Sequence, residues 1–512
     1  MITPQDLDLP KKFTGFRQNQ FEIAAKIAAS QKYAYLLDAA TGTGKSLIAA
    51  TVQRLIGKNV VYTCTTKQLQ DQILRDFPYA RILKGKQSYK CLRFPRMYPE
   101  VSAEDCTHSD FKKCYHFDEC PYRIAKNASL ASPLAVLNLA YFLSEANYVG
   151  SFSGTEYLIV DEFDVVEDQL MSFVEVLITQ KQLDDLQLDN PKYTTKFESW
   201  MEWAQAAIKI LTPRYEAIRN ELDNEWSTVN FSLMKEERRL HRLLGKLRFF
   251  VKEVDKNWVW IEGQDRWAFR PIWISKYADD NLWKHANRVL GMSATILSPI
   301  QVCVNVGLKY NDCSYRIIPS PFPKENRPVR YEPCASVTNK TMDIALPALK
   351  SKIEQIICDH PDDKILCHCV TYKIRDYIMK NIKSNRLMTH DTFNRSDILE
   401  AFKRSYQPKV LVSPSMDRGV DLPHDECRVV IIAKVPFGDL GDPQTKKRLY
   451  ASKDGKNWYA HKTISKIIQM SGRGVRSSDD YAVTYILDEQ FERIYEDHER
   501  MFPPWYREAV IM

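Results

Sequence analysis

Short apolar runs alternate with stretches of helical period along most of the chain. The first, "YAYLL" (33–37), leads into "LIAATVQRLI"; "NVVYTCTT" (59–66), a helical segment and "EYLIVDEFD" (156–164) follow. The rhythm returns later with "KILCHCV" (364–370), "KVLVSPS" (409–415), "RVVIIAKVPF" (428–437) and "YAVTYILD" (481–488). Strands separated by helices predict parallel βαβ units, so the pattern predicts two α/β domains.

From 166 to 265 the pattern changes. "MEWAQAAIKILTPRYEAIRNELDNEW" and "LMKEERRLHRLLGKLRFFVKEV" place apolar residues at helical spacing in a charged background, acidic first and basic after. This stretch reads as a helical insertion.

Length and composition then narrow the class. The chain has 512 residues, of which 44% are hydrophobic, so several domains with proper cores are expected and disorder is not. No run approaches the roughly 20 apolar residues of a membrane span, and the opening "MITPQDLDLPKKF" lacks a signal-peptide stretch. A soluble, intracellular protein of cytoplasm or nucleoid is expected, with no membrane partner. The net charge of +7 permits a polyanionic partner without requiring one.

"AATGTGKS" (39–46) lies between a predicted strand and a predicted helix, the context a phosphate-binding loop needs. Within Thr41, Gly42, Thr43, Gly44, Lys45 and Ser46, the glycines let backbone N–H groups close on phosphates. Lys45 can reach the β and γ oxygens, and Ser46 can ligate Mg²⁺. Ala39 stands at the first glycine of the usual pattern. "VDEFD" supplies the acidic partner: Asp161 to hold Mg²⁺ and Glu162 to orient or deprotonate the attacking water. Alone, two carboxylates after a strand are more often a solvated strand end; following a phosphate loop, they become catalytic candidates.

A γ-phosphate transfer site also calls for a cation from a second domain. "QMSGRGVRSSDD" (469–480) offers Gln469, Arg473 and Arg476, the two arginines one helical turn apart. The set Lys45, Asp161, Glu162, Gln469, Arg473 and Arg476 is therefore the candidate catalytic group.

Four of the 12 cysteines, Cys91, Cys106, Cys114 and Cys120, gather in one short polar stretch. In a reducing compartment, clustered thiols read as metal ligands rather than disulfides. Their wide, unequal gaps suit a [4Fe–4S] cluster better than a zinc ribbon's tight pairs, although His108 and His116 leave zinc open. Cys64, Cys367 and Cys369 lie in apolar strands and read as small hydrophobes. "KKRLYASKDGKNWYAHKTISK" (446–466) interleaves Lys446, Lys447, Arg448, Lys453 and Lys456 with Tyr450, Trp458 and Tyr459. That composition fits either a single-strand track or a solvated basic helix with its aromatics turned inward.

Taken in order, "FRQNQ" (16–20), "AATGTGKS", "TCTTKQLQDQ" (63–72), "VDEFD", "GMSATI" (291–296), "DRGVDLP" (417–423), "KVPFGDLGDP" (434–443) and "QMSGRGVR" resemble the motifs of superfamily 2 helicases, specifically the iron–sulfur helicases of the XPD/DinG group. "KGKQSYKC" (84–91) is similar to the lead-in to that group's first cluster ligand. The resemblance implies an α/β fold of two RecA-like parallel-sheet motor domains, with an iron–sulfur insertion and a helical, arch-like insertion in the first. The expected boundaries are 1–83, 121–165 and 266–298 for the first motor domain, 84–120 for the cluster domain, 166–265 for the insertion and 299–512 for the second motor domain.

It further implies an ATP-dependent DNA helicase of DEAH-like type, monomeric, moving 5′ to 3′ on single-stranded, forked or 5′-tailed DNA. ATP, Mg²⁺ and a [4Fe–4S] cluster are the implied cofactors, with Arg17, Gln20, Gly419 and Asp421 near the nucleotide. Ser293 and Thr295 would couple its state to the strand. Two positions depart from the group: Ala40 replaces a common glycine, and Asp164 replaces the histidine assigned to coupling hydrolysis with strand movement. An ATP-switched nucleic-acid-binding or redox-sensing protein that unwinds nothing, and an RNA-directed motor, are the alternatives.

Overall fold

The computed structural model of the chain describes residues 2–93, 100–106, 114–224, 231–416, 422, 424–451, 453–472, 474–475 and 480–512. The strands expected from the apolar runs form two seven-stranded parallel sheets. The first runs in the order Cys313–Ile318, Ala34–Ala39, Val289–Ser293, Tyr157–Asp161, Val60–Cys64, Leu134–Asn138, Arg81–Leu83. Its central strands are buried along their whole length, because helices cover both faces; hence the sequence shows continuous apolar runs instead of alternation.

This order sets three chain segments side by side. Ser293 is in register with Asp38, and Met292 with Asp161, so the phosphate loop, the acidic pair and "SAT" all leave the same edge of the sheet. Ligands of open parallel sheets bind at such an edge, beyond the carboxyl ends of the strands.

The first sheet extends past the expected limit at 298. After Ser293 the chain forms the helix Pro299–Val306 and returns as Cys313–Ile318 to pair with the phosphate-loop strand. Only then does it cross to the second sheet, ordered Leu387–Thr389, Val410–Ser413, Ile365–His368, Val429–Ile432, Val483–Asp488, Val329–Ala335, Val510–Ile511.

The insertion contains two long helices, Phe197–Asn224 and Phe231–Glu253. It is not purely helical. Val176–Thr179, Arg266–Pro271 and Trp258–Gly263 form a three-stranded antiparallel sheet. The aromatic-rich "WVWIEGQDRWAFRP" makes its hairpin, and Trp200 packs on Trp267 and Phe269 with ring centroids 5.1 and 5.3 Å away. These rings belong to the same continuous core as Leu36, Val61 and Val160, so the insertion is anchored in the first motor domain. Among the described residues, no helix is long and apolar enough to cross a membrane.

Candidate nucleotide site and cysteine cavity

The strand Ala34–Ala39 ends in a loop that the helix Lys45–Ile56 closes. Gly42 and Gly44 sit at φ 79° and 78°, where a side chain is strained, and both face close neighbours. A Cβ at 42 would lie 2.2 Å from the Phe322 ring, and one at 44 would lie 2.4 Å from Gln20 Nε2. Lys45 Nζ donates to Ala39 O at 3.0 Å, across the mouth of the loop. Arg17 and Gln20 lie against the loop: Gln20 Nε2 donates to Thr43 O at 2.8 Å, and Arg17 donates to Gly42 O. Thr41 Oγ1 faces Gly472 at the end of the helix Lys453–Ser471 of the second sheet.

Asp161, at the end of its strand, is buried. Its Oδ2 accepts from Tyr62 OH at 2.8 Å, a hydroxyl within reach of Ser46 as well, and its Oδ1 accepts from Glu162 N–H at 3.0 Å. Burial pushes its carboxyl above the ordinary range, against the pull of the Lys45 charge. A buried carboxylate facing one lysine has both the charge and the dryness to take a divalent cation. Glu162 occupies left-handed backbone, φ 57° and ψ 51°, and accepts from Thr65 Oγ1. Strain of this kind collects at functional sites.

Asp164 joins the two motor domains. Its Oδ1 accepts from Ser293 Oγ at 2.5 Å, and its Oδ2 accepts from Gln469 Nε2 at 2.6 Å. Gln469 also donates to Thr295 Oγ1 at 3.1 Å. Gln469, Ser293, Thr295 and Asp164 therefore form one network around the residue that departs from the family's histidine. Phe163 before it fills the space of a missing side chain at Gly291 and stacks on Trp283. Arg473, Arg476, Gly419 and Asp421 lie outside the described residues, as does His108.

Cys91, Cys106, Cys114 and Cys120 line a single cavity of about 40 Å³, together with Arg93 and Arg123. The module around it is tied back to the insertion by Arg238 to Asp105 at 2.5 Å and by Arg242 to Glu104. Among the described residues no three His, Cys, Asp or Glu side chains are gathered closely enough to hold a single metal ion.

Two family models match the chain: a DEAD/DEAH box helicase over 17–197 and a helicase C-terminal domain over 353–509. Over 611 aligned residues it is 20% identical to the ATP-dependent DNA helicase YoaA of Haemophilus influenzae, covering 94% of this chain and 92% of that one. It is 26% identical to the ATP-dependent DNA helicase DinG of Photobacterium profundum, over 43% of this chain and 34% of that one. A solved XPD helicase superposes with a TM-score of 0.66 at 16% identity, covering 95% of this chain and 98% of the other. Xpd4 of S. tokodaii gives 0.61 at 13%, covering 96% and 99%.

The chain thus pairs a DEAD/DEAH box helicase match with a helicase C-terminal domain match, and is similar to the XPD/DinG-like helicases.

One reading of the basic stretch needs correction in this XPD/DinG-like chain. Arg448 and Trp458 do not face a strand: both are buried and both bind Glu167, Arg448 Nη1 at 2.6 Å and Trp458 Nε1 at 3.0 Å. Lys462 adds a third partner to Glu167 at 3.1 Å. Lys446, Lys447, Tyr450 and Lys456 of that stretch are exposed, as is the acidic Asp454. The buried ionic group instead fastens the second domain to the root of the insertion, where Gln444 also donates to Pro271 O at 2.6 Å.

Sequence reasoning missed Tyr62, Thr65, Glu167 and Phe322. Thr65 stood inside a quoted motif without a role. Phe322, between two prolines in "SPFPKENR", carried a readable signal of a rigid, deliberate bend.

Proposed function

We propose that this chain is a DNA helicase that hydrolyses ATP between its two parallel-sheet domains. The observation that carries the reading is the Asp164 network, which ties "SAT" of the first domain to Gln469 of the second beside the phosphate loop. Lys45 would meet the β and γ phosphates, Ser46 and Asp161 would hold Mg²⁺, and Glu162 would orient the water. Arg17 and Gln20 would steady the loop, and Thr41, Gly42, Thr43 and Gly44 would cradle the phosphates. Gln469, Arg473 and Arg476 would complete the site from the second domain, with Gly419 and Asp421 at the cleft.

The substrate we infer is single-stranded DNA, with entry from forked or 5′-tailed duplexes and movement 5′ to 3′ by a monomer. The relatives named above as ATP-dependent DNA helicases support DNA over RNA. A non-unwinding ATP switch loses ground, because Asp164 makes the interdomain contacts that coupling requires.

The cysteine cavity fits a [4Fe–4S] group. Four cysteines line it, and Arg93 and Arg123 beside them would offset the charge an anionic cluster brings. Such a group would cross-link a stretch with little core of its own, and these residues would hold it at Cys91, Cys106, Cys114 and Cys120.

ATP turnover of the whole chain, measured with and without single-stranded DNA and RNA, tests the reading. Stimulation by DNA with unwinding of 5′-tailed but not 3′-tailed duplexes is expected. ATP turnover that ignores DNA overturns it.

A further inference from the structure

Beside the nucleotide site, a cleft of about 460 Å³ opens between the motor domains. Thr65, Thr66, Gln68 and Glu162 form its first wall, and Arg395 and Ser396 its second. Glu162, which the proposed function places against the attacking water, is thus also reached from the cleft. Its carboxylate accepts the Thr65 hydroxyl there, and the two residues lie 97 positions apart in the chain.

Thr65 is built to stay in place while its hydroxyl turns. Its carbonyl accepts from Asn138 Nδ2 at 2.7 Å, Cys64 before it is fully buried, and Thr66 after it caps the helix Lys67–Asp76 by accepting from Leu69 N–H at 3.2 Å. A hydroxyl has one proton to donate. It can serve the Glu162 carboxylate or an anion in the cleft, not both. While it serves Glu162 it holds that carboxylate turned towards Thr65 and away from a water at the phosphate loop.

We propose that Thr65 is a positioning residue that restrains Glu162 while the cleft is empty, and that a backbone phosphate of a single nucleic-acid strand entering the cleft takes the Thr65 hydroxyl and releases Glu162 to the attacking water. Arg395 is the cation lining the cleft for that phosphate, set against the carboxylates of Asp168 and Glu400, and the backbone amides around Thr66 and Lys67 open the helix beside it. Strand occupancy and ATP turnover then share one proton, without a large movement of either domain. The inference rests on the helicase reading and names how the strand stimulates hydrolysis.

The test compares wild type, Thr65→Val and Thr65→Ser in the whole chain, using poly-dT as the strand and ATP turnover as the readout. Valine keeps the shape and loses the proton; serine keeps the proton. Thr65→Val should raise the strand-free kcat by about tenfold, the rate equivalent of one charge-assisted hydrogen bond, with KM for ATP unchanged. Its stimulation by poly-dT should fall towards none, and Thr65→Ser should behave as wild type. If Thr65→Val keeps the wild-type basal rate and stimulation, or lowers both rates in proportion, the proposal is overturned while the helicase reading stands. A wild type indifferent to poly-dT overturns the reading and the proposal together.

Discussion

Gln469 reaches across the cleft to donate its Nε2 hydrogen to Asp164 Oδ2 at 2.6 Å, and the other oxygen of the same carboxylate accepts from Ser293. A carboxylate can only accept, so it can hold two donors from two domains at once. In the neutral state, a histidine at this position would offer one acceptor and one donor. The substitution of aspartate for the family's histidine is therefore matched by the donors that face it.

Because the bridge joins the two motor domains, Asp164→Ala should lower strand-stimulated kcat by about 10- to 100-fold, with ATP binding little changed. Gln469→Ala should cost about as much, and the double variant no more than either alone. Steady-state turnover of the four proteins gives the coupling directly, and strictly additive losses would contradict the shared network.

Lys45→Ala should leave a folded protein without measurable ATP turnover, since Lys45 Nζ lies across the mouth of the loop on Ala39 O, whereas Arg17 holds the loop backbone at Gly42 O. Thermal unfolding with and without Mg²⁺-ATP checks it. Wild type should gain stability from the nucleotide and the variant should not.

The fold should be sensitive to pH at Asp38. Burial raises this carboxyl to about 6, even though its Oδ2 accepts from Leu297 N–H at 2.9 Å and Tyr315 OH at 3.1 Å. Its Oδ1 has no hydrogen-bond partner. Below the ordinary value of 3.8, both folded and unfolded chains hold the proton and nothing is lost. From there to about 6 the unfolded chain sheds a proton that the fold retains, so stability falls as pH rises, and the loss of about 3 kcal/mol is complete above that point. Asp38→Asn should flatten this slope in urea titrations between pH 4 and pH 7, both about the range just given.

Arg448→Ala should destabilise the chain by about 3–5 kcal/mol, because it leaves Glu167 buried with a lost partner. Differential scanning calorimetry reads this as a lower Tm. A change within error would mean that Trp458 and Lys462 suffice for the carboxylate.

Protein purified without oxygen should be coloured, with a broad shoulder near roughly 400 nm. Cys114→Ser should remove both the colour and unwinding while leaving strand-free ATP turnover largely intact. A colourless, zinc-loaded wild type would refute the cluster.

The phosphate loop, acidic pair and alternation of strands with helices were legible because each depends on a few neighbouring residues: a glycine needed at φ 79°, a lysine after it, an apolar run before it. The hairpin at Trp258–Gly263 and Arg266–Pro271 was not, because its alternation of tryptophans with charges lay inside a stretch dominated by helical period. Arg448 and Trp458 were composed like a nucleic-acid track, yet Glu167, far away in sequence, draws both inward. Thr65 and Glu162 meet only because their strands are neighbours in the sheet, which no local pattern reports.

The strand Cys313–Ile318 lies directly beside the phosphate-loop strand, and only Pro319, Ser320 and Pro321 separate it from Phe322, whose ring rests on Gly42. The tether to the second domain thus starts at the phosphate-binding loop itself, like a pivot set next to the point where force would be applied. A shift of the loop would be delivered close to that fulcrum, so that the far rim of the second domain would sweep through the longer arc.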